Sequence, residues 1–170
     1  MTEPMGRIER ITLHWSAGNA TKAYPAYHLS VRGDGKVVVS CPLTEKGAHC
    51  WGRNTGNVGV SMLGHPDRGF PAVQVEATAL VCAEVAHKYG LDLDGSVELP
   101  RLRNVGGVKL VAAGGVMHAP VLADHAWYAH ADGYYPDRWD IGKWYGPIAG
   151  KARWYLRRLQ KGERKPEWVK

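Results

Sequence analysis

The chain is poor in phenylalanine, with one against seven tryptophans and eight tyrosines. Its large rings therefore nearly all carry an N–H or O–H. It has three cysteines, Cys41, Cys50 and Cys82, and no CxxC pair. An odd number cannot all be joined internally, and no thiolate metal knuckle is present. Buried reduced thiols are expected, with a Cys41–Cys50 loop bridge as the lesser alternative. No stretch approaches the roughly 20 apolar residues of a membrane span, and the opening MTEPMGRIERITLHW lacks the apolar core of a secretory leader. The expectation is a soluble chain made in the cytoplasm. Internal repeats and low-complexity tracts are absent as well.

What is present fits one compact unit. At 170 residues and 45% hydrophobic content, with a mean hydropathy of -0.32, the chain can bury one sizeable core but hardly two. We expect a single domain over residues 1–160 and a basic tail over 161–170. The net charge of +6 favours an anionic partner such as a nucleic acid, a membrane surface or an acidic wall polymer. No recognition helix or RNP aromatic motif is found, so nucleic acid is not expected. The end of the chain interleaves Lys151, Arg153, Arg157, Arg158, Lys161, Arg164, Lys165 and Lys170 with Trp154, Tyr155 and Trp168. Such a helix could touch anionic lipid or envelope phosphates, although most such runs are solvated faces.

Hydrophobic spacing gives an outline of the elements. Arg7 to Trp15 reads as a first strand, followed by a polar loop from Ser16 to Thr21. Tyr27 to Val31 and Lys36 to Ser40 flank Arg32-Gly33-Asp34-Gly35, a hairpin signal. Val58 to Leu63 is a further strand. Pro71 to Tyr89 has helical spacing, with proline at its start and Gly90 as its stop. Leu91 to Gly107 shows no clean period and reads as a loop or insertion. Val108 to Met117 is then a strand, and Ile148 to Leu159 a last helix. The fold class expected is α/β: a single domain with a central mixed β-sheet flanked by α-helices.

Three residues distant in sequence suit a metal hydrolase: His14 in ITLHWSAG, His118 in AAGGVMHAP and Asp140 in DRWDIGKW. Two imidazoles and one carboxylate would hold tetrahedral zinc with a position open to water. Each histidine follows an apolar run, and strand ends are rigid places from which to hold a metal. His125 and His130, in DHAWYAHADGYY, compete with His118 but lie in a polar, loop-like segment. Asp137 is the rival to Asp140. His28 reads as a packing residue, and His65 and His87 as surface residues.

In order along the chain, ITLHWSAG, AYHLSVRGDGKVVVSCPLTEKGAHCWGRNTGNVGVSMLG, VMHAP and RWD resemble the zinc-dependent N-acetylmuramoyl-L-alanine amidases, the family of many phage endolysins and of the peptidoglycan recognition proteins. The similarity is densest from Tyr27 to Gly64, with Gly47-Ala48-His49, Asn54, Asn57, Gly59 and Gly64 fitting the family pattern. The resemblance implies hydrolysis of the amide between N-acetylmuramic acid and L-alanine in peptidoglycan. It also implies a single-domain, monomeric endolysin held in the host cytoplasm until released to the wall, or alternatively a recognition module that binds muropeptide without cutting it.

The resemblance carries zinc ligation to His14, His118 and Asp140. It places Arg138 where many members have lysine, as a fixed cation beside a developing oxyanion. Tyr27 matches the active-site tyrosine, whose hydroxyl would orient the attacking water or bond the tetrahedral intermediate. His49, Trp51, Arg53 and Asn54 are candidate substrate contacts, with a structural role for His49 equally open, packing at the core or rim the alternative for Trp51, and a loop-fixing role the alternative for Asn54. Many members place a glutamate general base in the strand that here reads Val58-Gly59-Val60-Ser61-Met62-Leu63, and that position is Ser61. Serine takes up no proton near neutral pH.

Overall fold

The computed structural model describes residues 3–134 and 141–163. A five-stranded sheet runs in the order β3-β2-β4-β1-β7, built from β1 (Arg10–Trp15), β2 (Leu29–Val31), β3 (Val37–Val39), β4 (Asn57–Met62) and β7 (Leu122–Asp124). Its β2–β4, β4–β1 and β1–β7 ladders are parallel, and only β2–β3 is antiparallel. The expected mixed sheet is therefore present. β1 and β4 are buried along their whole lengths, as strands covered on both faces must be. Gly35 closes the β2–β3 hairpin at φ +82, a conformation that glycine adopts without steric cost.

One face of the sheet is the main core. Ile11, Leu13 and Trp15 of β1 and Val58, Val60 and Met62 of β4 share one apolar cluster with α1 (Ala72–Tyr89) and α3 (Tyr145–Gln160). α1 ends as expected at Gly90, which adopts the left-handed conformation and returns its N–H to the Ala86 carbonyl. Because side chains alternate across a strand, Thr12 and His14 point to the other face. There a smaller cluster of Cys50, Leu99, Met117, Ala119, Ala123 and Tyr128 joins the 41–57 loop to α2 (His125–Asp132) and to a separate hairpin.

That hairpin corrects the expected loop over Leu91 to Gly107. β5 (Ser96–Val105) pairs antiparallel with β6 (Lys109–Pro120), and the register shifts between Pro100 and Leu102. The segment DHAWYAHADGYY is likewise not a loop at its start, since His125–Asp132 is helical. Asp124 caps it by accepting the Trp127 N–H at 3.0 Å, and Gly133 ends it at φ 69. All three cysteines are free and buried, with burial pushing the Cys50 and Cys82 thiols up to about 12. No helix among the described residues is long and apolar enough to cross a membrane.

Candidate active site

Parallel α/β sheets bind ligands beyond the carboxyl ends of their strands. Here β1 ends in His14-Trp15, and β7 runs beside it in the register Ile11–Leu122, Thr12–Ala123 and Leu13–Asp124. The next residue on each strand is a histidine, so the ladder sets His125 beside His14. Their ring centroids lie 4.9 Å apart. His14 also meets the Tyr27 ring at 5.0 Å and the His49 ring at 5.0 Å. Four rings from a strand end, a helix start, the approach to β2 and a loop thus converge on one point.

The strand beside β1 in this register is not the one that carries His118. His118 stands exposed on β6, opposite Glu98 of β5, in the sheet that does not include β1. It is β7, three residues long, that pairs with β1, and it delivers His125. The sequence signal was the aspartate cap directly before His125, which marks a strand-to-helix junction. Asp140, its rival Asp137 and Arg138 lie outside the described residues.

Burial sets the protonation of the cluster. His14 is 2% exposed, and desolvation, followed by its histidine neighbours His49 and His125, holds its pKa well below the usual imidazole range. Burial takes His49 down to about 3. Both are therefore neutral imidazoles with a lone pair each, the state a metal ligand requires. Tyr27 is half-buried, and burial raises its hydroxyl above the ordinary phenol value, so it enters chemistry as a hydrogen-bond donor. Tyr134 brings its hydroxyl to 3.2 Å from His125 Nε2 and sets its ring 5.6 Å from that of Trp51. Trp51 is 40% exposed and forms an open aromatic wall at this end of the site.

Two other candidate contacts, His49 and Arg53, lie in the interior. His49 is buried at 7% exposure, with its ring nitrogens engaged by His14 (3.0 Å) and the Asn57 carbonyl (2.9 Å). Arg53 is buried too and grips Asp132 through Nε to Oδ2 at 2.9 Å and Nη2 to Oδ1 at 2.6 Å. Its Nη1 donates to the Pro100 carbonyl at 2.8 Å. The first, His49, is bonded to His14, and the second, Arg53, ties the loop to α2 and β5. Asn54 takes the loop-fixing alternative, its Oδ1 accepting the His49 and Cys50 N–H groups at 3.0 and 2.8 Å.

Ser61 lies directly across from His14 in the β1–β4 ladder. Its buried hydroxyl has no hydrogen-bond partner among the described residues. No proton acceptor therefore occupies the place of a glutamate base on this strand. Whether the site suits zinc turns on its donors. Among the described residues no three His, Cys, Asp or Glu side chains form a metal-binding group, but His14 and His125 set two imidazole rings side by side at adjoining strand ends.

Comparison with known proteins agrees with this architecture. Residues 4–139 match the family model for N-acetylmuramoyl-L-alanine amidase. No curated protein matches the chain. Among solved structures, the N-acetylmuramoyl-L-alanine amidase LysC from Clostridium intestinale superposes with a TM-score of 0.58 at 13% identity, covering 96% of this chain and 91% of that one. An endolysin of a Thermus scotoductus bacteriophage gives 0.57 at 17% identity, with 89% of each chain covered. A Drosophila peptidoglycan recognition protein, SD, gives 0.50 at 16% identity over 74% of this chain and 73% of that one. At these identities the structures establish the shared fold. With the family match spanning well over half of its length, the chain belongs to the N-acetylmuramoyl-L-alanine amidase family.

Proposed function

We propose that this protein is a peptidoglycan amidase that hydrolyses the bond between N-acetylmuramic acid and the L-alanine of the stem peptide, acting as a phage or prophage endolysin. The observation that carries this reading is the pairing of His14 and His125 at the ends of β1 and β7, with Tyr27 against them, in a chain that matches the amidase family. His14, His125 and Asp140 would hold zinc. When bound, the ion supplies polarisation of the scissile carbonyl and acidification of water. The chain's own groups do the rest. The Tyr27 hydroxyl donates to the oxyanion that develops on the carbonyl, and Arg138 adds a fixed positive charge. The exposed face of Trp51 stacks against the C–H face of a sugar or the stem peptide.

The absence of a carboxylate at Ser61 leaves proton transfer to water and to the groups at the cleft mouth. The protein acts as a monomer on the wall, accumulating in the host cytoplasm before release. The cations of α3 give modest support for envelope contact, because Lys151 pairs with Glu76, Arg153 with Asp94 and Arg158 with Glu163. The test is digestion of purified cell walls followed by mass spectrometry of the soluble fraction. Free stem peptides beginning with L-alanine are expected. Binding to walls with no peptide released would make the protein a recognition module instead. Metal analysis of His125→Ala and His118→Ala separates the ligand sets: the first should lose zinc, and the second should keep it.

A further inference from the structure

An imidazole binds a metal through a nitrogen without a proton, so a histidine ligand must be held in one of its two neutral tautomers. Around His14 the partners leave little choice. The Asn57 carbonyl can only accept, so the His49 Nε2 that meets it at 2.9 Å carries a hydrogen. A second hydrogen on His49 would make it a buried cation that no carboxylate among the described residues pairs with, which is costly. Its Nδ1 is therefore a bare acceptor. At 3.0 Å that nitrogen faces His14 Nε2, which must donate. His14 is left with its lone pair on Nδ1.

The surroundings hold His49 in place for this. A Cβ built on Gly59 would fall 2.6 Å from His49 Cγ, and one on Gly47 would fall 3.0 Å from His49 Cδ2. Both glycines thus make room for the ring. Asn54 anchors the backbone N–H of the same residue. A neighbouring histidine is fixed in the same manner: His28 accepts the Gly59 N–H on Nδ1 at 2.9 Å and offers Nε2 to the Glu45 carbonyl at 3.0 Å.

We infer that His49 is a positioning residue, which relays the polarity of the Asn57 carbonyl to His14 and so commits His14 Nδ1 to the metal. The inference rests on His14 being a metal ligand, as proposed above. In zinc-free wild-type protein, long-range proton–nitrogen NMR of the imidazoles should show His14 with its hydrogen on Nε2 and His49 with its hydrogen on Nε2. His49→Gln retains an acceptor and a donor on one side chain and should preserve that tautomer. His49→Leu removes both, and should give a mixture of His14 tautomers together with a roughly 10- to 100-fold weaker zinc affinity by chelator competition.

Circular dichroism establishes that each variant is folded. Should His49→Leu fail to fold, the wild-type spectrum and the His49→Gln affinity still decide. A hydrogen on His14 Nδ1 in the wild type overturns the inference. So does a folded His49→Leu with unchanged tautomer and affinity, or a folded His49→Gln whose zinc affinity falls roughly 10-fold or more below that of the wild type. Loss of the parent reading has a different signature: His14→Ala would bind zinc as the wild type does, whatever the tautomer.

Discussion

Asp132→Ala offers a direct test of the placement of Arg53. The Arg53–Asp132 pair is forked and nearly sealed, with side-chain exposures of 3% and 0%, and it joins residues 79 apart in sequence. Removing the carboxylate leaves a guanidinium in the interior with the Pro100 carbonyl and the Met117 sulfur as its remaining acceptors among the described residues. Breaking one side of a buried pair costs about 3–5 kcal/mol. For a chain of this size each kcal/mol moves Tm by about 2–4 °C, so a fall of roughly 6–20 °C is expected. Replacing both partners, as Arg53→Met with Asp132→Leu, removes the uncompensated charge and should recover most of that loss. The assay is thermal unfolding of Asp132→Ala, with urea unfolding of the wild type, Arg53→Met, Asp132→Leu and the double variant as a double-mutant cycle, and KM on solubilised wall fragments measured beside them. A mutant as stable as wild type but with a large rise in KM would return Arg53 to the substrate and refute its structural assignment.

Three further outcomes can be checked. The depressed pKa values of His14 and His49 mean that the unfolded chain takes up protons the folded chain refuses. Stability is complete above the ordinary imidazole pKa and declines as pH falls towards the folded values. With His49 moving from 6.5 to about 3, about 2 kcal/mol should be gone by pH 5 from that group, and denaturant midpoints that stay flat from pH 7 to 5 would contradict it. Tyr27→Phe should keep zinc and fold while lowering kcat by roughly 10²-fold, whereas an unchanged kcat would make the ring a packing element. Ser61→Ala removes a buried hydroxyl that lacks a partner and should leave stability the same or higher by up to about 1 kcal/mol, measured by urea melts; a marked loss would reveal a hidden bond.

The sheet and its helical cover were legible because β1, β4 and α1 announce themselves by local pattern. Apolar runs with β-branched residues and a proline-to-glycine helix need no distant partner to be read. β5 was not legible, since Pro100 gives no N–H to a ladder and the register shift beside it breaks the two-residue period. The motifs around His14 and Tyr27 single them out as candidates, and the structure brings their rings to 5.0 Å. The longer apolar run before His118 singles that residue out in the sequence, whereas the strand that neighbours β1 in the structure leads to His125. Three residues of β7 suffice for that. The supporting role of His49 and the pairing of Arg53 depend on contacts with residues far away in sequence, and no spacing rule encodes them.

The chain divides its apolar interior unequally. Both long helices brace one side of the main sheet, while the histidines rest on the other, propped by a handful of modest side chains and a two-stranded flap. Heat should therefore loosen the floor of the groove before it melts the helices, so that lytic power fades while the helical signal still looks intact.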